Sequence, residues 1–287
     1  MRFDNKDGRC HSTKQLHISS SPSYEQLSSS LLPKFQTAYA DIEGRRRRRR
    51  RRRILTFDIE KIDSCCINLT IEDCICIIGK REYTNTILIR LCVRALMSKR
   101  QGGFESTNVI FIDAGGKHSD VYQCVNFARQ YGLDIKKILQ SILVTRAFTI
   151  YQLADLLINE LPRIIRRFNV KVIMIADLLN LFTNDPNIDH NEAVSLIKEI
   201  INSIRRTLDN ILVIVSFQQQ HNDRHHHKLY GYHKILLLRF NKRIEITNNN
   251  TKINLLDLKV YNNYSKKNCN RSLLLEETDL QAVSAYT

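Results

Sequence analysis

An α/β fold with a mainly parallel sheet is what this sequence predicts, on three observations. Short apolar runs of strand type alternate with longer segments whose apolar residues recur three and four apart, the spacing of one helix face. The strands end at positions suited to a site, at Gly79, Asp113, Asp177 and Ser216-Phe217-Gln218. The final third then changes to strand-like runs with no helix between them. Alternation of strand and helix implies parallel strands covered by helices on both faces, and the last third implies C-terminal antiparallel strands added to them.

The first strand of the alternation is Cys74 to Ile78, ending at Gly79, and its helix carries Leu88, Leu91, Cys92, Ala95 and Leu96 on one face. After a turn at Gln101-Gly102-Gly103, Val109 to Ile112 reads as a second strand ending at Asp113. Ser119 to Gln130 reads as a helix stopped by Tyr131-Gly132, and Ile135 to Gln140 as a shorter one. Ile142 to Thr145 is the third strand. Thr149 then caps a long helix through Leu153, Leu156, Leu157 and Leu161, bent or broken at Pro162. Val170 to Ala176 is the fourth strand, Asn191 to Leu208 an amphipathic helix, and Ile211 to Ser216 the fifth strand. His233 to Phe240, Arg243 to Thr247 and Ile253 to Tyr261 follow as strand-like runs in antiparallel hairpins, before a polar, loose tail.

Composition bounds the rest. The 287 residues suffice for one large domain and an appendage. No apolar run is long enough to cross a bilayer, and the N-terminus lacks the apolar segment of a signal peptide. Eight cysteines, mostly on apolar elements, suggest reduced thiols and a cytoplasmic setting. Cys65, Cys66, Cys74 and Cys76 lie close together, but without zinc-ligand spacing they read as small hydrophobes, and no zinc is expected. Of the net charge of +15, fourteen Lys/Arg against five Asp/Glu place nine charges within residues 1–53.

That charge is concentrated in an unbroken run: Arg45, Arg46, Arg47, Arg48, Arg49, Arg50, Arg51, Arg52 and Arg53. Such a block repels itself and is solvated unless a polyanion covers it, and nucleic acid is the natural one. A sticky linker is the plainer reading. The expected organisation is a disordered arm over residues 1–30, a linker over 31–53, the core over 54–264 and a polar tail over 265–287.

The turn after the first strand reads Gly79-Lys80-Arg81-Glu82-Tyr83-Thr84-Asn85-Thr86. Set against G-x-x-x-x-G-K-[ST], it keeps the first glycine and the last hydroxyl but has Thr84 for the second glycine and Asn85 for the lysine. Asn85 can donate a hydrogen bond but cannot neutralise phosphate charge. Lys80 and Arg81 sit at the start of the turn, where side chains usually point to solvent. The turn is therefore either a decayed nucleotide site or an ordinary strand–turn–helix. Asp177, delivered by an apolar strand, has the chemistry of a Walker B carboxylate, with Thr86 as the opposing magnesium-side hydroxyl.

From about Pro33 to Thr278 the chain resembles the RadA/RecA-type recombinases of the archaeal–eukaryotic branch. Leu55 to Asp63 is similar to the family's opening S-T-G-x-x-x-L-D, and Phe111-Ile112-Asp113-Ala114-Gly115-Gly116 falls where it has W-I-D-T-E-G. Val144-Thr145-Arg146-Ala147-Phe148 is similar to V-A-R-A-Y, Lys171 to Asp177 to the Walker B strand, and Val213 to Gln218 to V-V-V-T-N-Q. The resemblance implies a RecA-like core and a place in DNA recombination and repair. It also implies loss: the phosphate-loop lysine is Asn85, and the water-positioning glutamate falls at Gly115. Thr86, Asp177 and Gln218 remain at metal-side and sensor positions. The expectation is a divergent paralogue with no catalytic residue in place, at most weak binding of ATP with magnesium through residues 79–86, and little or no turnover. A residual DNA-dependent ATPase using Lys80 or Arg81 stays open as the alternative.

The family's single-strand-binding loops follow the fourth and fifth strands. The first counterpart, Phe182 to Asp189, is acidic and has no arginine, which argues against phosphate contact. The second, Gln218 to Tyr232, carries Arg224, Lys228, Tyr230 and Tyr232, basic and aromatic side chains suited to single-stranded DNA. Its His225-His226-His227 reads as polar loop rather than metal site. Phe35 and Ala38 have the spacing of the family's F-x-x-A docking tetrapeptide, which implies self-association or a RadA-type recombinase partner. No membrane partner is expected, and a nucleoid-associated location is.

Overall fold

The computed structural model describes residues 54–64, 68–115, 121–207, 210–218, 231–232, 235–237, 239–248, 255–262 and 271–280. Within them the alternating runs form strands β1 (Ile54–Leu55), β2 (Leu69–Thr70), β3 (Cys74–Gly79), β4 (Val109–Asp113), β5 (Ile142–Arg146), β6 (Val172–Ala176) and β7 (Leu212–Gln218). Strands β8 (Lys242–Asn248), β9 (Leu255–Asn262) and β10 (Arg271–Glu276) complete the set. The helices are α1 (Glu60–Asp63), α2 (Arg81–Leu96), α3 (Val121–Gln130), α4 (Ile135–Ser141), α5 (Ile150–Asp155), α6 (Leu161–Phe168), α7 (Asn180–Asn184), α8 (His190–Thr207) and α9 (Glu277–Leu280).

Eight strands form one sheet in the order β10-β9-β8-β3-β7-β6-β4-β5. From β8 to β5 every pairing is parallel, six strands in all, and β9 and β10 add to the β8 edge antiparallel. Strand alternation sorts the core into two layers. Ile75, Ile77, Val109, Phe111, Val172, Met174, Leu212 and Ile214 pack with α2 and α3 on one face. Cys74, Cys76, Ile110, Ile112, Ile173, Ile175, Val213 and Val215 pack with α5, α6 and α8 on the other. The RecA-like α/β architecture, mainly parallel with helices on both faces, is the one the sequence predicts.

Three local expectations fail, each for a physical reason. The long helix is not broken at Pro162. A π-helical stretch, Leu156–Glu160, joins α5 to α6, and Pro162 sits in the first turn of α6, where no N–H is needed. Residues 235–237 are helical rather than strand, because Leu236 and Phe240 bury against α8's layer instead of pairing with a strand. That leaves β8 parallel to β3 rather than hairpinned to the segment before it. Finally, the segment expected to be a loose tail contains β10 and α9, whose Leu275 and Leu280 are fully buried against the core. Lys61 of α1 closes this corner by donating to Asp279 at 2.8 Å.

Asp63 receives the amides of Phe57 and Ile59, which fixes the turn at the start of the core. The expected cap at Thr149 is present, its hydroxyl accepting from the Gln152 amide. Cys74 and Cys76 lie buried in the sheet, and burial pushes the Cys74 thiol up to about 12. Among the described residues no helix is long and apolar enough to cross a membrane. Cys65 and Cys66 lie outside the described residues.

Candidate functional site

Ligands of open α/β sheets collect beyond the carboxyl ends of the strands. Here β3, β4, β6 and β7 deliver Gly79, Asp113, Asp177 and Gln218 to that edge. A phosphate cradle needs a loop between strand and helix whose amides converge on an anion. This junction has none. Lys80 is the single residue between β3 and α2, and the helix begins at Arg81. The Thr84 amide donates to the Lys80 carbonyl at 3.1 Å, so the backbone is committed to helix within its first turn.

The retained features of the motif serve packing in this geometry. Gly79 lies against β8: a Cβ there would come within 2.8 Å of the Ile246 carbonyl oxygen. The Thr86 hydroxyl, buried, donates to the Glu82 carbonyl at 2.7 Å, one turn back in its own helix. The Thr84 hydroxyl donates to the Arg81 carbonyl in the same way. Asn85 has a buried side-chain oxygen with no hydrogen-bond partner. Lys80 points outward, its ammonium 5.8 Å from the Tyr83 ring centroid.

Arg81 does the opposite of what its place at the start of the turn suggests. Its side chain is only 15% exposed and reaches inward across the strand ends. Nε lies 3.2 Å from Asp177 Oδ2, Nη2 lies 3.6 Å from Asp113 Oδ1, and Nη1 donates to the Gly115 carbonyl at 3.0 Å. Gly115 is what admits it. A Cβ at that position would lie 2.4 Å from Nη2 and 2.7 Å from the guanidinium carbon. The position where the resemblance expects a glutamate is thus filled by an arginine arriving from another strand end.

The surrounding groups extend this network, which engages Asp177 through Oδ2 and leaves its buried Oδ1 without a hydrogen-bond partner. Arg146 Nε donates to Asp113 Oδ2 at 3.0 Å, and the Gly115 amide donates to Asp113 Oδ1. Gln218 Nε2 donates to Asp177 Oδ2 at 2.9 Å, and Asn180 Nδ2 donates to the Gly115 carbonyl. Two buried carboxylates meet two guanidinium groups, so the edge is neutral without any added ion. Asp177 adopts φ 53°, a left-handed conformation rare outside glycine, with its amide donating to the Ser216 hydroxyl. Burial raises the Asp177 pKa above the usual carboxylate range, opposed by Gln218 and Arg81.

Several expected site residues are therefore brought together and others are not. Arg81, Asp177 and Gln218 converge. Thr84, Asn85 and Thr86 are absorbed into α2, while Lys80 turns toward the Tyr83 ring and the Glu82 carbonyl accepts from Thr86. Of the expected magnesium pair, the Thr86 hydroxyl is spent on the Glu82 carbonyl, while Asp177 meets Arg81 and Gln218 through Oδ2 and keeps a buried, unpartnered Oδ1. Asp113 and Arg146 were not singled out as functional. Their pairing could have been found from register, because Asp113 and Arg146 are direct partners across β4 and β5.

Tyr232, expected to stack on bases, is 1% exposed and its ring lies 5.4 Å from that of His190, nearly parallel. It is core, packed in the same apolar layer as α8. Arg224, Lys228 and Tyr230 lie outside the described residues, as do Phe35, Ala38 and the run from Arg45 to Arg53. The acidic counterpart of the first loop forms α7 and the turn after it.

A parallel sheet with carboxylates at adjacent strand ends, flanked by helices on both faces, defines a RecA-like α/β protein. A family model described as Rad51 matches residues 70–224, more than half of the 287 residues. The chain belongs to the Rad51 family, RecA-type proteins of recombination and repair. The matched region runs from the end of β2 past β7, and so includes the whole Arg81 network. No curated protein matches the chain.

Proposed function

We propose that this protein is a non-catalytic member of the recombination machinery, acting by binding single-stranded DNA, a RadA-type recombinase filament, or both. The observation that carries the proposal is Arg81. It stands against Asp177 and Asp113, over the space that Gly115 leaves open. In phosphoryl transfer the metal, the phosphate-loop cation and the water-positioning carboxylate do nearly all the work, by placement and charge. Here the carboxylates are neutralised from within and no glutamate stands at 115. The residues of residual turnover, Lys80 and Arg81, give it little support: one points outward and the other is engaged.

What remains for function is binding. The arginine run supplies a polyanion-binding segment whose affinity will fall steeply with salt. Phe35 and Ala38 supply the docking pair for a recombinase partner or a second copy.

Steady-state phosphate release and equilibrium binding of a fluorescent ATP analogue, each with and without magnesium, test the catalytic half. Release indistinguishable from a protein-free control is expected. Magnesium-dependent release that Asp177→Ala abolishes would overturn the reading. Pull-down of a RadA-type recombinase by the full chain tests the partner half, with recovery expected to fall in Phe35→Ala. Equal recovery of both forms would remove the docking role.

A further inference from the structure

A groove of about 270 Å³ that shares no residue with the Arg81 network is lined by Lys198, Ile201, Asn202, Ile235 and Arg239. Ile201 of α8 and Ile235 form an apolar floor. Lys198 and Arg239 stand at its rim as exposed cations, with the Asn202 amide beside them. Among the described residues no carboxylate lines it. Among the described residues neither Lys198, Arg205 nor Arg239 has an acidic partner within ion-pair distance.

The helix extends this chemistry beyond the groove. Asn191, Ser195, Lys198, Asn202 and Arg205 follow three- and four-residue spacing and so share one stripe of α8, and all five are exposed. The stripe has amides, a hydroxyl and two cations, and no acidic residue. Of the acids of α8, Glu192 accepts from the Tyr151 hydroxyl at 2.8 Å, and Glu199 borders the stripe beside Ser195 and Asn202, about 100° round the helix from Lys198.

We propose that this groove docks a short acidic–aliphatic segment of a protein partner, an aliphatic side chain resting on Ile201 and Ile235 with carboxylates to either side meeting Lys198 and Arg239. Charge complementarity selects the acidic character, and the aliphatic floor selects the apolar residue. The volume is at the small end for a ligand site, which suits one or two anchoring side chains rather than a whole small molecule. Single-stranded nucleic acid fits less well, since its bases seek aromatic platforms and the described residues lining the groove include none.

Fluorescence anisotropy of the full chain tests the idea with two labelled probes, a short peptide of alternating Glu and Leu and a matched peptide with Ser in place of Leu. The arginine run will attract both through charge alone, so the readout is the difference between them. The Glu–Leu peptide should bind about fivefold or more tighter than the Glu–Ser peptide, and Lys198→Glu/Arg239→Glu should remove that preference. Both substituted residues are exposed, so the melting temperature should not move; should the double variant fail to fold, Lys198→Ala and Arg239→Ala singly read the same preference. Equal affinity for the two peptides overturns the proposal, as does a preference that survives in the variants. Loss of oligothymidylate binding in the variants, without any peptide preference in the parent, would make the groove a nucleic-acid surface and overturn it too. None of these outcomes depends on whether the protein hydrolyses ATP.

Discussion

In the interior of the sheet, Ile77, Phe111, Met174 and Ile214 alternate with Cys76, Ile112, Ile175 and Val215, each set filling one of two apolar layers. At the carboxyl edge of the same strands, Arg81, Asp113, Arg146 and Asp177 hold one another by charge. The interior has the packing of a RecA-like core, whereas the edge is an ion-pair network for which Gly115 leaves room. The difference teaches that a fold and its chemistry rest on separable sets of residues. Apolar layers tolerate exchange among hydrophobes of similar size, while a site that handles phosphate fails when one charge is removed.

The comparison can be broken most sharply from the interior. Ile77→Ala removes a fully buried side chain from the central strand and should destabilise the fold by about 4 kcal/mol, read as a lower urea midpoint. Arg81→Ala comes next, at about 3 kcal/mol near neutral pH, because it leaves the buried Asp177 carboxylate without a cation, while Asp113 keeps Arg146. If that variant is as stable as the parent, the edge is not held by charge and the contrast collapses.

The pH dependence sharpens the same contrast. A carboxyl group whose pKa is raised in the folded state binds its proton more readily there than in the unfolded chain. Its contribution therefore weakens folding as pH rises from the ordinary carboxylate value through the raised one. Asp177 is such a group, and Arg81 is one of the influences holding its pKa down. Removing Arg81 should widen that window, so the loss in Arg81→Ala should be larger at about pH 7.5 than at about pH 4.5. Urea titrations of Ile77→Ala at the two pH values should show no such difference.

Smaller effects mark the margins. Gly115→Ala forces the Arg81 guanidinium aside, and the cost should be about 1 kcal/mol because the neighbour is the end of a flexible side chain. Glu160→Ala removes only an exposed pair with Arg163 and should change stability by no more than about 0.5 kcal/mol.

Much of this was legible in the chain. The strands at Cys74, Val109, Ile142, Val172 and Leu212 and the Thr149 cap follow from apolar spacing and local hydrogen bonding, which are properties of neighbouring residues. The segment around Leu236 was misread, because a short apolar run suits a buried helix turn as well as a strand. Strand β10 was missed, because its pairing partner, β9, lies across a polar connection that conceals it.

Sequence alone determined the five alternating strands of the parallel sheet and the family, since periodicity and motif order need no knowledge of what folds against what, whereas the sixth parallel strand, β8, came only from the structure. Only the tertiary structure decided that Arg81 turns inward, that Gly115 makes room for it and that Tyr232 is core rather than surface. A charge finds its partner through strand register, and Arg81, Asp113 and Asp177 are far apart in the chain until the sheet sets their strand ends side by side.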